Sequence, residues 1–328
     1  MLPGMAPTLP DGLTSRAPTL DDAAPITHLV RECDFAAIGE SDYTEGEVVA
    51  TFGSPGVDHE RGGRVVLDSD GAIVGWLWTE LDEAAREVFV DVFCRRADVT
   101  NWLYEHGLAF AAQLSAETGV PLGVYSGCFA TDAAYAQVIE SHGLTVDRRF
   151  WRMRLDLDPE QPFVAPTLPP GVTLEVASDD DAGRRLVHRL NEAAFVDHWH
   201  NTPRTFDDWY ERVLASVGDD PTQRYIALVE GQPAGLLVAD DSLAEQRESY
   251  VRTLGVLREF RGRGVAKSLL ANAFAVAAGR GHRRVSLTVD SESPTGATRL
   301  YEGMGMAVAS EIMVWTRPPV TAGASSTA

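Results

Sequence analysis

Cysteine is scarce in this chain of 328 residues, which contains Cys33, Cys94 and Cys128 and no others. The three are odd in number, widely spaced and free of any CxxC pattern. Such spacing indicates neither a disulfide framework nor a zinc site. We therefore predict buried thiols in a reducing cytoplasm and no bound metal.

Long apolar segments and positive charge are also deficient. No apolar run approaches the roughly 20 residues needed to cross a bilayer, and residues 1–16 lack the basic and apolar regions of a signal peptide. The 28 lysines and arginines face 48 aspartates and glutamates, a formal net charge of −20. Nucleic acids and anionic membranes bind positively charged surfaces, so we expect neither as a partner. We expect a cytoplasmic protein that is a monomer or a homodimer.

The sequence does contain an internal repeat. Three glycines mark it in each copy. The first lies in a strand–turn–strand pattern, the second at the end of a long apolar-periodic helix, and the third at the end of a short helix. They recur at an offset of 160 to 162 residues: Gly75 with Gly235, Gly119 with Gly281, and Gly143 with Gly305. One offset shared by several landmarks predicts two copies of one fold.

Each copy reads as strand, helix, loop or helix, hairpin, strand, helix, strand, helix, strand. This order predicts an α/β class with a central mixed sheet in two tandem domains. Residues 159–171 are rich in proline and predict an extended connector, and the small polar residues 318–328 predict a disordered tail. The predicted domains are therefore 15–158 and 172–317.

The second copy contains a glycine-rich turn between a strand and a long helix. Residues 250–256 read as the strand, 261–266 as the turn Arg-Gly-Arg-Gly-Val-Ala, and 267–280 as the helix. Glycine at 262 and 264 keeps side chains away from backbone N–H groups, and a helix start adds unpaired N–H groups with partial positive charge. Arg258 and Lys267 add cationic charge. The segment predicts a site for a pyrophosphate.

An Arg-x-x-Gly-x-Ala turn after an apolar strand resembles the signature of the GCN5-related N-acetyltransferase (GNAT) family. The resemblance implies acetyl-CoA as co-substrate, with its pantetheine arm on the strand end and its pyrophosphate on the turn. The implied binding residues are Leu254, Gly255 and Val256 for pantetheine, and Arg261, Gly262, Arg263, Gly264, Val265 and Ala266 for pyrophosphate.

A second resemblance follows in residues 293–306, which are similar to the family's Asn-x-x-Ala-x-x-Leu-Tyr-x-x-x-Gly-Phe. It implies that Tyr301 protonates the departing CoA thiolate, and a phenol of pKa near 10 suits that task. A tyrosine that only packs on the cofactor is the alternative. Ser293 is taken as the counterpart of the family's asparagine beside the pantetheine, and Met306 as that of the closing phenylalanine.

The first copy lacks these motifs. At an offset of 162 the turn falls on residues 99–102, where there is no glycine, and the tyrosine falls on Ile139. Asp98 would repel a phosphate. We expect no catalysis and weak or no acyl-CoA binding in this copy. A decayed first copy before an intact second one resembles the two-domain bacterial acetyltransferases of the mycothiol synthase type.

The acceptor side of the reaction is less defined by sequence. Attack on a thioester needs a neutral amine, so some group must take its proton. The strand before the turn has no carboxylate in its centre, which leaves Glu248 at its start and Asp290 at the end of the next strand. Residues 197–200, Asp-His-Trp-His, favour an amine-binding wall with His198 or Asp197 as proton relay, or else a polar turn with a packed tryptophan.

We predict an acyl-CoA-dependent N-acyltransferase. Its second domain transfers an acetyl group from acetyl-CoA to the primary amine of a small molecule by direct attack. The sequence leaves the acceptor open among amino sugars, antibiotics, peptide amines and a cysteinyl amine on a sugar-inositol. The alternative is a module that binds acyl-CoA without turnover, as a sensor or scaffold.

Overall fold

The computed structural model describes residues 8–161, 163–196, 198, 202–214, 218–293 and 295–319. Its contacts form two units. The first comprises the chain up to Arg149 together with the residues from Glu311 onward, and the second comprises Phe150–Ser310.

Helices and strands alternate along the chain much as the sequence pattern predicts. The helices are α1 (Ala23–Ile38), α2 (Glu45–Gly53), α3 (Ala97–Thr118), α4 (Ala133–Ser141), α5 (Asp181–Ala194), α6 (Phe206–Trp209, continued by a π-helical turn Tyr210–Leu214), α7 (Val265–Gly279) and α8 (Ala297–Gly303). The strands are β1 (Thr14–Arg16), β2 (Arg64–Leu67), β3 (Ile73–Asp82), β4 (Glu87–Cys94), β5 (Gly123–Phe129), β6 (Thr145–Asp156), β7 (Val172–Val176), β8 (Asp219–Val229), β9 (Gln232–Asp240), β10 (Glu248–Val256), β11 (Arg284–Asp290) and β12 (Ala307–Arg317).

The sheet of the first unit has the order β1-β2-β3-β4-β5 and ends with residues 312–317 of β12. Only β4 and β5 run parallel. Their pairing stops at Phe89 and Tyr125, although β4 continues to Cys94. The two strands therefore separate and leave a gap in the sheet.

The sheet of the second unit repeats this arrangement. Its order is β7-β8-β9-β10-β11, and it ends with residues 150–156 of β6. Again only one pair, β10 and β11, is parallel, and its pairing stops at Val251 and Leu287 while β10 continues to Val256. The α/β class with a mixed sheet in two tandem copies is thus confirmed.

The first unit is not contiguous in sequence, because residues 311–317 of β12 complete its sheet, whereas the second unit is continuous but begins within β6. Strand β6 supplies Met153 to the core beside β11, and β12 supplies Met313 and Trp315 to the core beside β5. The units therefore differ from the contiguous ranges 15–158 and 172–317 in where these two strands belong. The open edges of β5 and β11 each need an antiparallel partner, and these segments provide it.

Apolar residues on both faces of each sheet explain the layered packing. In the first unit α3 and α4 cover one face and α1 and α2 the other. In the second unit α7 and α8 cover one face and α5 and α6 the other. The described residues between β6 and β7 form neither helix nor strand, and residues 320–328 lie outside the described part. Within that part, no helix combines the length and apolar character that crossing a bilayer requires.

Candidate functional site

The gap between β10 and β11 opens into a cavity of about 480 Å³. Its walls come from the end of α5, the open part of β10, the turn before α7, the end of β11 and the start of α8. Of the ten residues predicted to bind the cofactor, nine line it: Leu254, Gly255, Val256, Arg261, Gly262, Gly264, Val265, Ala266 and Ser293. The cavity has the size of an ordinary small-molecule site.

Strand β10 presents an open backbone edge to this cavity. It pairs with β9 as far as Val256, opposite Gly235, but leaves β11 after Val251. Its last residues therefore have backbone N–H and C=O groups on one side without a neighbouring strand. An extended, amide-containing chain can pair there as an added strand would.

The turn before α7 leaves backbone N–H groups exposed. Gly262 and Gly264 both have φ of 78°, a conformation that side chains disfavour. A Cβ added at Gly262 would meet no atom within 4 Å, so the space beside it is open. The Ser268 amide is the first to bond within α7, to the Gly264 carbonyl, and the preceding amides of the helix remain available to an anion.

Two cations stand at the mouth of this turn. Arg261 lines the cavity and donates Nε to the Val256 carbonyl at 3.2 Å. Lys267, the chain's single lysine, is exposed and also lines the cavity. Arg263 instead lies over the ring of Phe260, 5.8 Å from its centroid, and is not part of the lining.

Tyr301, on α8, lines the cavity and is 7% exposed. Burial raises the pKa of its phenol to about 12, so the group keeps its proton at neutral pH. Among the described residues, none forms a hydrogen bond with its hydroxyl. The phenol is therefore a proton donor that is available to a ligand in the cavity.

Ser293 also lines the cavity, and its hydroxyl is 2.9 Å from that of Thr295. Counted strictly along the family motif, seven residues before Tyr301, the asparagine position falls on Pro294 rather than on Ser293. Pro294 lies outside the described residues, as do Asp197, Trp199 and His200.

Of the side chains predicted on the acceptor side, some line the cavity and one does not. His198 and the almost fully buried Asp290 line it, and the His198 ring packs 5.6 Å from that of Phe195. Glu248 is buried elsewhere at the start of β10, where it accepts hydrogen bonds from Ser286 and from Arg152. The structure therefore brings Tyr301 and His198 together and leaves Glu248 outside the lining.

Sequence reasoning missed a polar face formed where β6, β10 and β11 are adjacent. Arg252 lines the cavity and forms an ion pair with the buried Asp240 at 2.6 Å. The ring of Tyr250 lies between Arg152 and Arg252, 4.7 and 5.9 Å from their guanidinium carbons, and its hydroxyl donates to Thr288 at 3.2 Å. Period-two alternation along β11, which places Ser, Thr and Asp at 286, 288 and 290 on one face, was the available signal.

The corresponding gap in the first unit is occupied by a side chain. The Tyr135 hydroxyl accepts the Val92 N–H at 3.0 Å, and Val92 lies 162 residues before Leu254. The connection from β4 to α3 consists of Arg95 and Arg96 alone, whereas residues 257–264 link β10 to α7. Both differences agree with the expectation that this unit binds acyl-CoA weakly or not at all, which stays a prediction.

Comparison with known proteins adds an independent line of evidence. Residues 184–306 match the sequence profile of the Acetyltransferase (GNAT) family. A mycothiol acetyltransferase of Streptomyces griseus is 31% identical over 255 residues, covering 75% of this chain and 78% of that protein. The chain belongs to the GNAT family. A second mycothiol acetyltransferase, from Thermobispora bispora, is 34% identical over 179 residues, and the match spans 58% of its length.

Solved GNAT structures show the same fold over nearly the whole chain. The GCN5-related N-acetyltransferase of Sphaerobacter thermophilus has a TM-score of 0.79 at 26% identity, covering 95% of this chain and 97% of its own. A tandem GNAT protein from the clavulanic acid biosynthesis pathway has a TM-score of 0.68 at 16% identity, covering 94% and 99%. The resemblance to a tandem GNAT protein is thus confirmed.

Proposed function

We propose that the chain is an acetyl-CoA-dependent N-acetyltransferase whose second unit acetylates the primary amine of a small molecule by direct attack. The observation that carries this proposal is the meeting of three features at one cavity: the open edge of β10, the glycine turn before α7 and the phenol of Tyr301. Acetyl-CoA supplies the acetyl group as an activated thioester.

The residues present suit that co-substrate. The backbone edge at Leu254, Gly255 and Val256 would pair with the amides of the pantetheine arm. The N–H groups of the turn and of the first turn of α7 would hold the pyrophosphate, because Gly262 leaves the space beside the backbone open. Arg261 and Lys267 would neutralise its charge at the exposed rim.

Proton movements need one donor and one acceptor. We assign the donor role to Tyr301, which keeps its proton and faces the cavity, and which would hydrogen-bond the sulfur as it leaves. We assign the acceptor role to His198, directly or through water, because a ring nitrogen can accept a proton and the residue lines the same cavity as Tyr301. Asp290, buried in the same lining, is the second candidate. Glu248 is the less suitable base, because it lies outside the lining and accepts hydrogen bonds from Arg152 and Ser286.

The similarity to mycothiol acetyltransferases favours one acceptor class over the others. We propose the amine of a cysteinyl glucosamine-inositol as the first acceptor to test. The centre of β10 lacks a carboxylate, and this one feature favours the alternative of an acyl-CoA-binding module without turnover. The two functions differ in whether CoA thiol is released.

The test is thiol release from acetyl-CoA with purified full-length protein and a panel of amines: the cysteinyl sugar-inositol, amino sugars, aminoglycosides, polyamines and short peptides. Arg261→Glu is the variant, and Arg299→Glu, the same change of charge on an exposed part of α8 away from the cavity, is its control. We expect release with one amine class, lost in Arg261→Glu and kept in Arg299→Glu.

Binding is measured separately. Because Lys267 is the single lysine, an amine-reactive reagent read out by mass spectrometry reports occupancy of the turn directly. Protection of Lys267 by acetyl-CoA without release for any amine would support the non-catalytic alternative. Absence of both protection and release would contradict the proposed function.

A further inference from the structure

One face of the sheet in the first unit combines aromatic rings with a single central carboxylate. The face is the one covered by α1 and α2, and six of its side chains form the centre. They are Trp76 and Trp78 on β3, Phe89, Asp91 and Phe93 on β4, and Tyr125 on β5. Glu80, opposite Phe89, is a second carboxylate at the edge of this face and accepts a hydrogen bond from Ser54. Asp91 lies opposite Trp78 in the register, with an aromatic residue two positions away on either side along its own strand.

The rings form a continuous surface around that carboxylate. Trp76 stacks on Phe93 with centroids 5.5 Å apart, Trp78 meets Phe89 edge-on at 5.1 Å, and Phe89 lies 4.8 Å from Tyr125. Such aromatic faces carry negative electrostatic potential and attract cations.

Asp91 lacks a cationic partner among the described residues. Burial is the main cause that raises the pKa of Asp91 to about 7, and the negative charge of Asp34 on α1 raises it further. The indole N–H of Trp78 is close enough to Asp91 to lower the pKa of that carboxyl in part. Within the described part, however, the buried Nε1 of Trp78 has no hydrogen-bond partner of normal geometry. A buried carboxylate without a counter-ion is costly, and a bound cation would remove that cost.

Space for a ligand exists beside this carboxylate. The pairing of β4 and β5 ends at Phe89 and Tyr125, and Asp91 and Gly127 are the next residues of the two strands on the same face. A Cβ added at Gly127 would meet no atom within 4 Å. Asp91 is half-buried as a whole residue although its carboxylate is desolvated, so the recess lies close to solvent.

We propose that this recess binds an organic ammonium ion, with Asp91 as its counter-ion and the rings of Trp78, Phe89 and Tyr125 as its walls. The chemistry excludes the common metal ions, which require several oxygen, nitrogen or sulfur ligands, and no cluster of three such side chains exists in the described ranges. The site lies in the unit without the glycine turn, and it does not depend on acetyl transfer.

The test uses full-length protein without acetyl-CoA and titration calorimetry with three probes. Choline is the quaternary ammonium ion, ethanolamine is the primary one, and 3,3-dimethyl-1-butanol is the neutral analogue of choline. We expect saturable binding of at least one ammonium probe and at least tenfold weaker binding of the neutral alcohol. Asp91→Asn should weaken the ammonium probe at least tenfold, whereas Asp70→Asn, in an exposed turn, should not change it.

Two further measurements keep the test decisive. Asp91→Asn preserves the shape of the side chain, and its melting temperature establishes whether the variant folds. If the variant does not fold, Phe89→Leu is used instead. It removes one ring of the wall and should weaken binding of the ammonium probe by threefold or more. Arg261→Glu should leave ammonium binding intact, because its change lies in the other unit. Equal binding of the neutral alcohol, unchanged binding in Asp91→Asn, or loss of binding in Arg261→Glu would each overturn the proposal.

The pH dependence of binding gives a readout that a purely structural role would not produce. Asp91 must be ionised to act as counter-ion, so the probe should bind more tightly as pH rises from 6 to 8 through the pKa of about 7. Asp34, whose own pKa is raised to about 6 by burial, ionises in the same range, and the Tyr43 phenol, its pKa raised by burial, stays neutral. In Asp91→Asn most of this pH dependence should disappear.

Discussion

Replacement of Tyr301 by phenylalanine should slow acetyl transfer about 100-fold and leave acetyl-CoA affinity within about twofold. The two effects separate because the hydroxyl has no hydrogen-bond partner among the described residues, so its removal leaves no protein group unpaired. The ring, which is 7% exposed and packs in the core of the second unit, is preserved by phenylalanine.

The size of the effect follows from the raised pKa. General acids contribute about 100-fold to 10,000-fold to a rate. The phenol of Tyr301 has a pKa of about 12, whereas a thiol has one near 8.5, so complete proton transfer to a thiolate is uphill by about 5 kcal/mol. Hydrogen-bond donation to the sulfur is then the greater part of the contribution, and we expect the lower end of the range, about 2.7 kcal/mol.

The assay compares kcat, KM and the Kd for acetyl-CoA in wild type and Tyr301→Phe, with the amine identified by the panel. A kcat within about twofold of wild type would refute the role of the phenol as acid. A Kd raised tenfold or more with kcat unchanged would instead identify Tyr301 as a packing residue. The pH profile of wild type should show no loss of activity from Tyr301 below about pH 11.

Three further predictions concern the turn, the occupied gap and the buried carboxylate. Gly262→Ala should lower acetyl-CoA affinity about tenfold in calorimetry and cost about 1 kcal/mol of folding stability, because its φ is 78°. Gly279→Ala, in the last turn of α7, should lower neither, because alanine favours the helix. Calorimetry should give one acetyl-CoA per chain. Tyr135→Phe should reduce folding stability by about 1–3 kcal/mol, because the Val92 N–H loses its acceptor. The same variant should not create a second acetyl-CoA site. The pKa of Asp91 is about 7 in the folded protein and about 4 in the unfolded chain. The melting temperature of wild type should therefore fall from pH 5 to pH 8, and that of Asp91→Asn should fall less. An equal decline in both would contradict the assignment.

The sequence could predict the parts of the site that local backbone geometry determines. A glycine turn between an apolar strand and a helix is determined by local geometry, and strand β10 ends at Val256, as the predicted strand 250–256 does. The internal repeat predicted the order of elements in both units because glycine and proline mark element ends locally.

What depends on long-range pairing could not be read from the sequence. The strand that pairs with β5 lies about 180 residues later in the chain, and no local pattern indicates such a partner. The contact between the buried Glu248 and Arg152 likewise joins residues 96 positions apart, so the sequence could not show that this strand-end carboxylate is hydrogen-bonded outside the cavity lining. The occupation of the gap by Tyr135 was hidden because this tyrosine falls at the position of Ala297, not of Tyr301, in the second copy.

The placement of β12 has a consequence for how the chain folds during synthesis. Domains usually fold in order from the amino terminus as they leave the ribosome. Here the first unit cannot complete its sheet until residues 312–317 have been made, because they pair with β5 and bring Trp315 into its core. Until then the edge of β5 remains open to other strands. A nascent chain stopped after the first half should therefore depend on chaperones. The first unit should resist proteases only after residues 312–317 have been made and can pair with β5.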